Sequence, residues 1–186
     1  FRSTRGGNSV SFCEAVAQGL APDGGLYLPE EFPDLRQKIN EWEDLDYPSL
    51  CIEFFRYFAT DLPSADLENC VNSAYAGFTN DQTAPLIDLG DHWKCLELFH
   101  GPTLAFKDIA MQFIGNLYEY YLSKNDEKIN IVVATSGDTG AAAIDAIKGK
   151  NNLNIFVLHP NNRISPVQRK LMTTVEDKNV FNIAIE

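Results

Sequence analysis

The sequence predicts an α/β fold, a parallel sheet with covering helices, preceded by a mainly helical region with short strands. Three observations predict it. Apolar, β-rich runs at 129–134, 154–158 and 180–185 alternate with helical patterns, and such alternation is the grammar of a parallel sheet with helices packed on it. The helix between the last two runs opens Ser165-Pro166-Val167-Gln168, with serine at the N-cap, proline at N1 and glutamine at N3. Hydrophobic residues make up 45% of the 186 positions, enough for a sizeable core.

The earlier elements follow from the same signals. The chain opens polar and glycine-bearing, Phe1-Arg2-Ser3-Thr4-Arg5-Gly6-Gly7, and such a start is more often a frayed arm than a functional one. Ser11 and Glu14 form a capping-box pattern for a helix that stops at Gly19. Asp23-Gly24-Gly25 reads as a tight turn, and Leu26-Tyr27-Leu28-Pro29 as a short strand closed by proline. Pro48 opens a second helix whose face is Leu50, Cys51, Phe54 and Phe58. Ser64 is the expected cap of a third, with Leu67, Cys70, Val71, Ala74 and Tyr75 inward. Short strands are expected at 85–89 and 95–99, joined by a polar turn in a hairpin. A helix over 106–122 places Phe106, Ala110, Phe113, Leu117 and Tyr121 on one face. The expected division is a first region 1–95 and an α/β region 96–186.

Composition excludes several classes of function. A net charge of −11 and a pI near 4.6 argue against nucleic acid, whose phosphates require clustered Lys and Arg. No apolar run approaches the roughly 20 residues of a membrane span, and no secretory signal pattern opens the sequence. Cys13, Cys51, Cys70 and Cys95 lack metal-ligand spacing, so buried free thiols in a reducing cytoplasm are expected, with no metal. His92, His100 and His159 are equally scattered.

Chemistry concentrates in two turns. The run 95–99 ends in His100-Gly101-Pro102, and Lys107 follows between Phe106 and Asp108 at the start of a helical pattern. A lysine at such a rim is partly desolvated, which disfavours its charged form, and a neutral amine can attack a carbonyl to form a Schiff base. On three residues alone a solvated surface lysine is the commoner case. The second turn, Thr135-Ser136-Gly137-Asp138-Thr139-Gly140, joins a strand to an alanine-rich helix. Ligands of open α/β sheets bind beyond the carboxyl ends of strands, and a helix N-terminus favours an anion. Thr135, Ser136 and Thr139 supply hydroxyls, whereas Asp138 suits a protonated ligand group. An ordinary helix cap explains the turn about equally well. Neither a P-loop nor a dinucleotide fingerprint is present.

Taken together, Glu97-Leu98-Phe99-His100-Gly101-Pro102-Thr103-Leu104-Ala105-Phe106-Lys107-Asp108 and Ala134-Thr135-Ser136-Gly137-Asp138-Thr139-Gly140 resemble the threonine synthase family. So do Ser3-Thr4-Arg5-Gly6, the stretch from Gly19 to Leu26, and Arg163-Ile164-Ser165-Pro166-Val167-Gln168. The resemblance implies the tryptophan synthase β-like fold of pyridoxal-phosphate enzymes, with helices on both faces of the sheet. It implies conversion of O-phospho-L-homoserine, a small phosphorylated amino acid, and water to L-threonine and phosphate. Lys107 would carry the cofactor as a Schiff base and act as base at the substrate Cα. Thr135, Ser136, Gly137 and Thr139 would hold the substrate carboxylate, and Asp138 and Thr139 would face the cofactor ring. Arg5 and Arg163 are candidates for the substrate phosphate. Family members continue well beyond the length of this chain, and their glycine-rich loop for the cofactor phosphate lies in that continuation. The expectation is therefore an incomplete fold, inactive alone, whose open sheet edges invite pairing into an oligomer. Two alternatives use the same residues: a phospho-lyase that releases a 2-keto acid, and a non-catalytic scaffold.

Overall fold

In the computed structural model, which describes residues 1–186, the chain condenses into two units, Phe1–Asn72 and Ser73–Glu186; position 95 lies inside the second. In the first unit, β1 (Arg2–Ser3) pairs antiparallel with β2 (Tyr27–Leu28). Between them α1 (Phe12–Gln18) begins in a complete capping box. The Glu14 N–H donates to Ser11 Oγ at 3.2 Å, and the Ser11 N–H donates to the Glu14 carboxylate at 2.9 Å, so two otherwise orphaned donors are satisfied. The turn before β2 hangs on Asp23. Its Oδ1 accepts from Ser3 Oγ at 2.7 Å and from the Gly25 N–H at 2.9 Å, and these bonds hold its carboxyl below the usual carboxylate range. A Cβ on Gly25 would overlap Ser3 Oγ, so the turn closes only on glycine.

After the one-turn α2 (Ile39–Trp42), α3 (Tyr47–Phe55) starts with the Ser49 N–H donating to Asp46 at 2.8 Å and Pro48 in the first turn. Its stripe is only half-buried, and Phe54 instead packs against Phe58, ring centroids 5.0 Å apart. In α4 (Ser64–Tyr75) the apolar stripe Leu67, Cys70, Val71, Ala74 and Tyr75 is buried as expected. Ser64 is not its cap. It is the first helical residue, and the Pro63 carbonyl accepts from the Leu67 N–H at 3.0 Å. The local pattern misleads here because proline, with φ already fixed, can stand at the helix threshold without offering a side-chain acceptor.

All four cysteines are free, but only Cys70 is buried and Cys95 is exposed. The backbone N–H of Cys13 donates to Asp61 Oδ2 at 3.0 Å. Burial, reinforced by the Asp61 carboxylate, pushes the Cys13 thiol up to about 12.

In the second unit, β3 (Leu86–Gly90) and β4 (Trp93–Leu96) form the expected hairpin, the second strand starting two residues earlier than its apolar run. Asp91 and His92 form the loop at φ 47° and 70°, the left-handed pair whose twist matches that of the strands. Then come α5 (Asp108–Asn125), β5 (Ile129–Ala134), α6 (Asp138–Ile147), β6 (Leu153–Pro160), α7 (Pro166–Thr173) and β7 (Val180–Ile185). The strands make one parallel sheet in the order β5-β6-β7, with Ile131 beside Ile155 and Ile155 beside Val180.

One face of this sheet carries the core. Leu153, Ile155 and Val157 of β6 pack with Leu122 of α5, Ile144 and Ile147 of α6 and Met172 of α7. Seven residues of α6, Gly140 to Ile144 with Ala146 and Ile147, are buried, the mark of a helix enclosed between layers. Its alanines let α5 approach closely: a Cβ on Gly115 would lie 2.5 Å from the Ala146 carbonyl oxygen. Of the two helix layers expected, these residues supply one. The opposite face presents Val132, 65% exposed, and the stacked rings of Phe156 and Phe181, centroids 4.6 Å apart.

Two outcomes follow from this asymmetry of burial. Ile155→Ala should cost about 2–5 kcal/mol in chemical unfolding, whereas Val132→Ala on the open face should change stability by under about 0.5 kcal/mol. At pH 8 a disulfide thiol reagent should modify exposed Cys95 well before Cys13, which stays protonated; mass analysis of a time course checks the order.

Candidate functional site

The first chemistry-bearing turn is built around a buried carboxylate. Asp108 opens α5 and is 0% exposed. Its Oδ2 accepts from the Thr103 N–H at 2.8 Å and its Oδ1 from the Thr103 hydroxyl at 2.7 Å. The positive end of α5 adds favourable potential for this anion. Gly101 lies directly against it, with no room for a Cβ. Upstream, the Thr79 N–H donates to the His100 carbonyl at 2.9 Å, and the His100 ring meets Glu97 at 2.8 Å. The segment from Glu97 to Asp108 is thus tied at both ends. Leu104, at φ 60°, turns it back on itself.

Lys107 sits one residue before Asp108, at the N-cap position with helical backbone. It is half-buried, pairs with no carboxylate, and its Nζ lies 4.3 Å from the Phe106 ring centroid. The expected inward face of α5 is therefore corrected at its start. Phe106 precedes the helix and is 61% exposed, and Ala110 is exposed too. Asp108 takes the buried place, because its carboxylate finds partners there that an apolar side chain would leave orphaned.

The second turn follows β5. Thr135 accepts through Oγ1 from the Gly137 N–H at 3.3 Å and the Gly140 N–H at 3.2 Å. Its oxygen caps the first turn of α6, and only its hydroxyl proton is left to offer. A Cβ on Gly140 would lie 2.5 Å from Thr135 Cγ2 and 2.7 Å from Met172 Sδ, so this residue must be small. Ser136 and Asp138 are exposed. Thr139 is half-buried and lines a cavity of about 160 Å³ with Met111, Ile114, Tyr118 and Val133.

One residue of this turn's surroundings escaped the sequence reading. Gln168, read as the N3 residue of α7 and as the end of the Arg163–Gln168 motif but given no role, donates through Nε2 to Asp138 Oδ1 at 2.7 Å. A Ser-x-x-Gln pattern directs attention to the local cap, and nothing in it announces a partner 30 residues away.

The two turns stand at one end of the unit. Gln112 of α5 donates to Asp145 of α6 at 2.8 Å, and one turn further Lys150 donates to Asn116 at 3.0 Å. Contacts that advance together along both helices mean that α5 and α6 run parallel. Their N-termini, with Lys107 and residues 135–140, therefore share an end. Of the two arginines, Arg163 is exposed between β6 and α7, and Arg5 lies in the first unit, donating to the Asp23 carbonyl at 3.1 Å. Asp108→Ala should destabilise the second unit by about 1–3 kcal/mol, because it orphans the Thr103 N–H and hydroxyl. Asp108→Asn should cost less, since an amide can still serve both; thermal unfolding distinguishes them.

Comparison with known proteins bears on the same elements. Residues 1–75 match the family model described as threonine synthase N terminus. Over its whole length the chain is 43% identical to threonine synthase of Eremothecium gossypii and spans 40% of that protein. It is 46% identical to threonine synthase of Pseudomonas aeruginosa, with 99% of this chain aligned to 40% of that protein. The crystal structure of PLP-bound threonine synthase from Brucella melitensis superposes with a TM-score of 0.94 at 44% identity, over 100% of this chain and 40% of that one. The chain thus spans about two fifths of the length of these relatives. In sequence and in fold the chain is similar to the N-terminal portion of those threonine synthases.

Proposed function

We propose that this chain carries the lysine-bearing part of a pyridoxal-phosphate-dependent threonine synthase, which converts O-phospho-L-homoserine and water to L-threonine and phosphate. The observation that carries this reading is Lys107: half-buried, without a carboxylate partner, and at the same end of the unit as the 135–140 turn. A retained partner would compete with carbonyl attack, so an unpaired amine held by a rigid turn suits covalent catalysis. The donor set fits the cofactor: one amine, three hydroxyls and the N-terminus of α6, beside a largely apolar cavity.

Pyridoxal phosphate supplies, when bound, a sink for the electron pair left at a substrate carbon after proton removal. Lys107 is the residue that would hold the cofactor, through Nζ, and its amine would move the proton at the substrate Cα. Ser136, Gly137 and Thr139, with the remaining hydroxyl proton of Thr135, bind the substrate carboxylate at the positive end of α6. Asp138 and Thr139 would face the ring. Arg163, exposed between β6 and α7, is the cation we assign as a candidate for the substrate phosphate. No helix is long and apolar enough to cross a membrane, and four free thiols suit a reducing, cytoplasmic setting.

The test uses the full-length polypeptide that carries this sequence. Borohydride reduction in the presence of pyridoxal phosphate should leave one adduct, mapped by mass to Lys107. Lys107→Ala should lose that adduct and lower threonine formation by roughly 10²–10⁴-fold or more. A 2-keto acid in place of threonine would make the protein a phospho-lyase. An adduct missing from Lys107 would overturn the reading.

A further inference from the structure

We propose that Gln168 is a positioning residue for the cofactor-facing edge of this site. It engages one oxygen of Asp138 and leaves the other to accept a hydrogen bond from the protonated ring hydroxyl of pyridoxal phosphate. The inference rests on the reading above that Asp138 faces the ring.

Two observations carry it. The first is a relay with a fixed direction. Gln168 Nε2 donates to Asp138 Oδ1 at 2.7 Å, and Gln168 Oε1 accepts from Ser165 Oγ at 3.0 Å. The Ser165 oxygen itself accepts from the Gln168 backbone N–H at 3.2 Å, so its proton is available for Oε1. An ionised carboxylate only accepts, and therefore the amide nitrogen must face Asp138. The second observation is steric. A Cβ on Gly137 would lie 2.5–2.8 Å from the Nε2, Cδ and Oε1 atoms of Gln168. The amide is thus laid flat against the backbone of the turn, and glycine at 137 is what admits it. A side chain that merely completed the cap of α7 would need neither contact.

The chemical consequence concerns a proton. A carboxylate held as an acceptor cannot face a deprotonated ring oxygen without like-charge repulsion. An amide at 138 could donate to such an oxygen. Asp138 bridged by Gln168 instead favours a ring hydroxyl that keeps its proton, and so makes that hydroxyl a determinant of cofactor affinity.

The test compares binding of pyridoxal phosphate and its 3-deoxy analogue, which lacks the ring hydroxyl, to full-length protein. The intrinsic difference between the two compounds cancels when the ratio of their affinities is compared between variants. Gln168→Met, of similar volume but without a donor, should lower the preference for pyridoxal phosphate by roughly tenfold, the worth of a hydrogen bond to a charged group. Borohydride trapping on Lys107 should persist. Asp138→Ala, which removes the acceptor outright, should also reduce the preference, and adding Gln168→Met to it should reduce it no further. If Gln168→Met does not fold, Ser165→Ala carries the test, with a smaller loss in the same direction. An undiminished preference in a Gln168 variant that still traps cofactor on Lys107 overturns the proposal and leaves the functional reading standing. A wild-type protein that traps no cofactor there overturns both.

Discussion

The site depends on one buried carboxylate. Asp108 has no lysine or arginine to neutralise it; the Thr103 N–H and hydroxyl and the positive end of α5 offset its desolvation instead. An anion so placed can be satisfied only if residues 101–108 fold back over the helix start, and the bare backbone at Gly101 is what permits the contact. Lys107 is carried along by this closure. Its amine lies over the Phe106 ring, 4.3 Å from the centroid, rather than against a carboxylate. The Asp108–Thr103 interaction therefore fixes the backbone beside the lysine.

The second constraint is close packing of small residues. Alanines along α6 and Gly115 on α5 bring the two helices together in parallel, and Gly140 lets the first turn of α6 settle on Thr135 and Met172. Parallel helices place both N-termini, each a region of positive potential, at the carboxyl end of the sheet. Such a convergence favours an anionic ligand, and here it arises from packing rather than from any charged residue.

Much of this was legible in the sequence, for local reasons. The capping box at Ser11, the Pro166 start of α7 and the three apolar runs act within a few residues, and each element formed where its pattern stood. What was not legible was which polar atoms would pair. Phe106 continued the helical stripe by spacing, yet Asp108 took the buried place because hydrogen-bond partners waited there. Thr135 read as a ligand donor, yet its oxygen caps α6. Gln168 read as a local cap residue, yet its amide bridges to another helix. Asp108 and Thr135 found partners two to five residues away across a turn, and Gln168 one 30 residues away; periodicity reveals neither kind of pairing. The motifs shared with threonine synthases marked Lys107 and the 135–140 turn without disclosing what holds them.

The central claim is that Lys107 and the 135–140 turn form one cofactor site. A crystal structure of the full-length protein grown with pyridoxal phosphate tests it most directly. Continuous density should run from Lys107 Nζ to the cofactor, with the ring beside Asp138 and Thr139. Cofactor bound to another lysine, or a Lys107 amine left bare with the ring elsewhere, would contradict it.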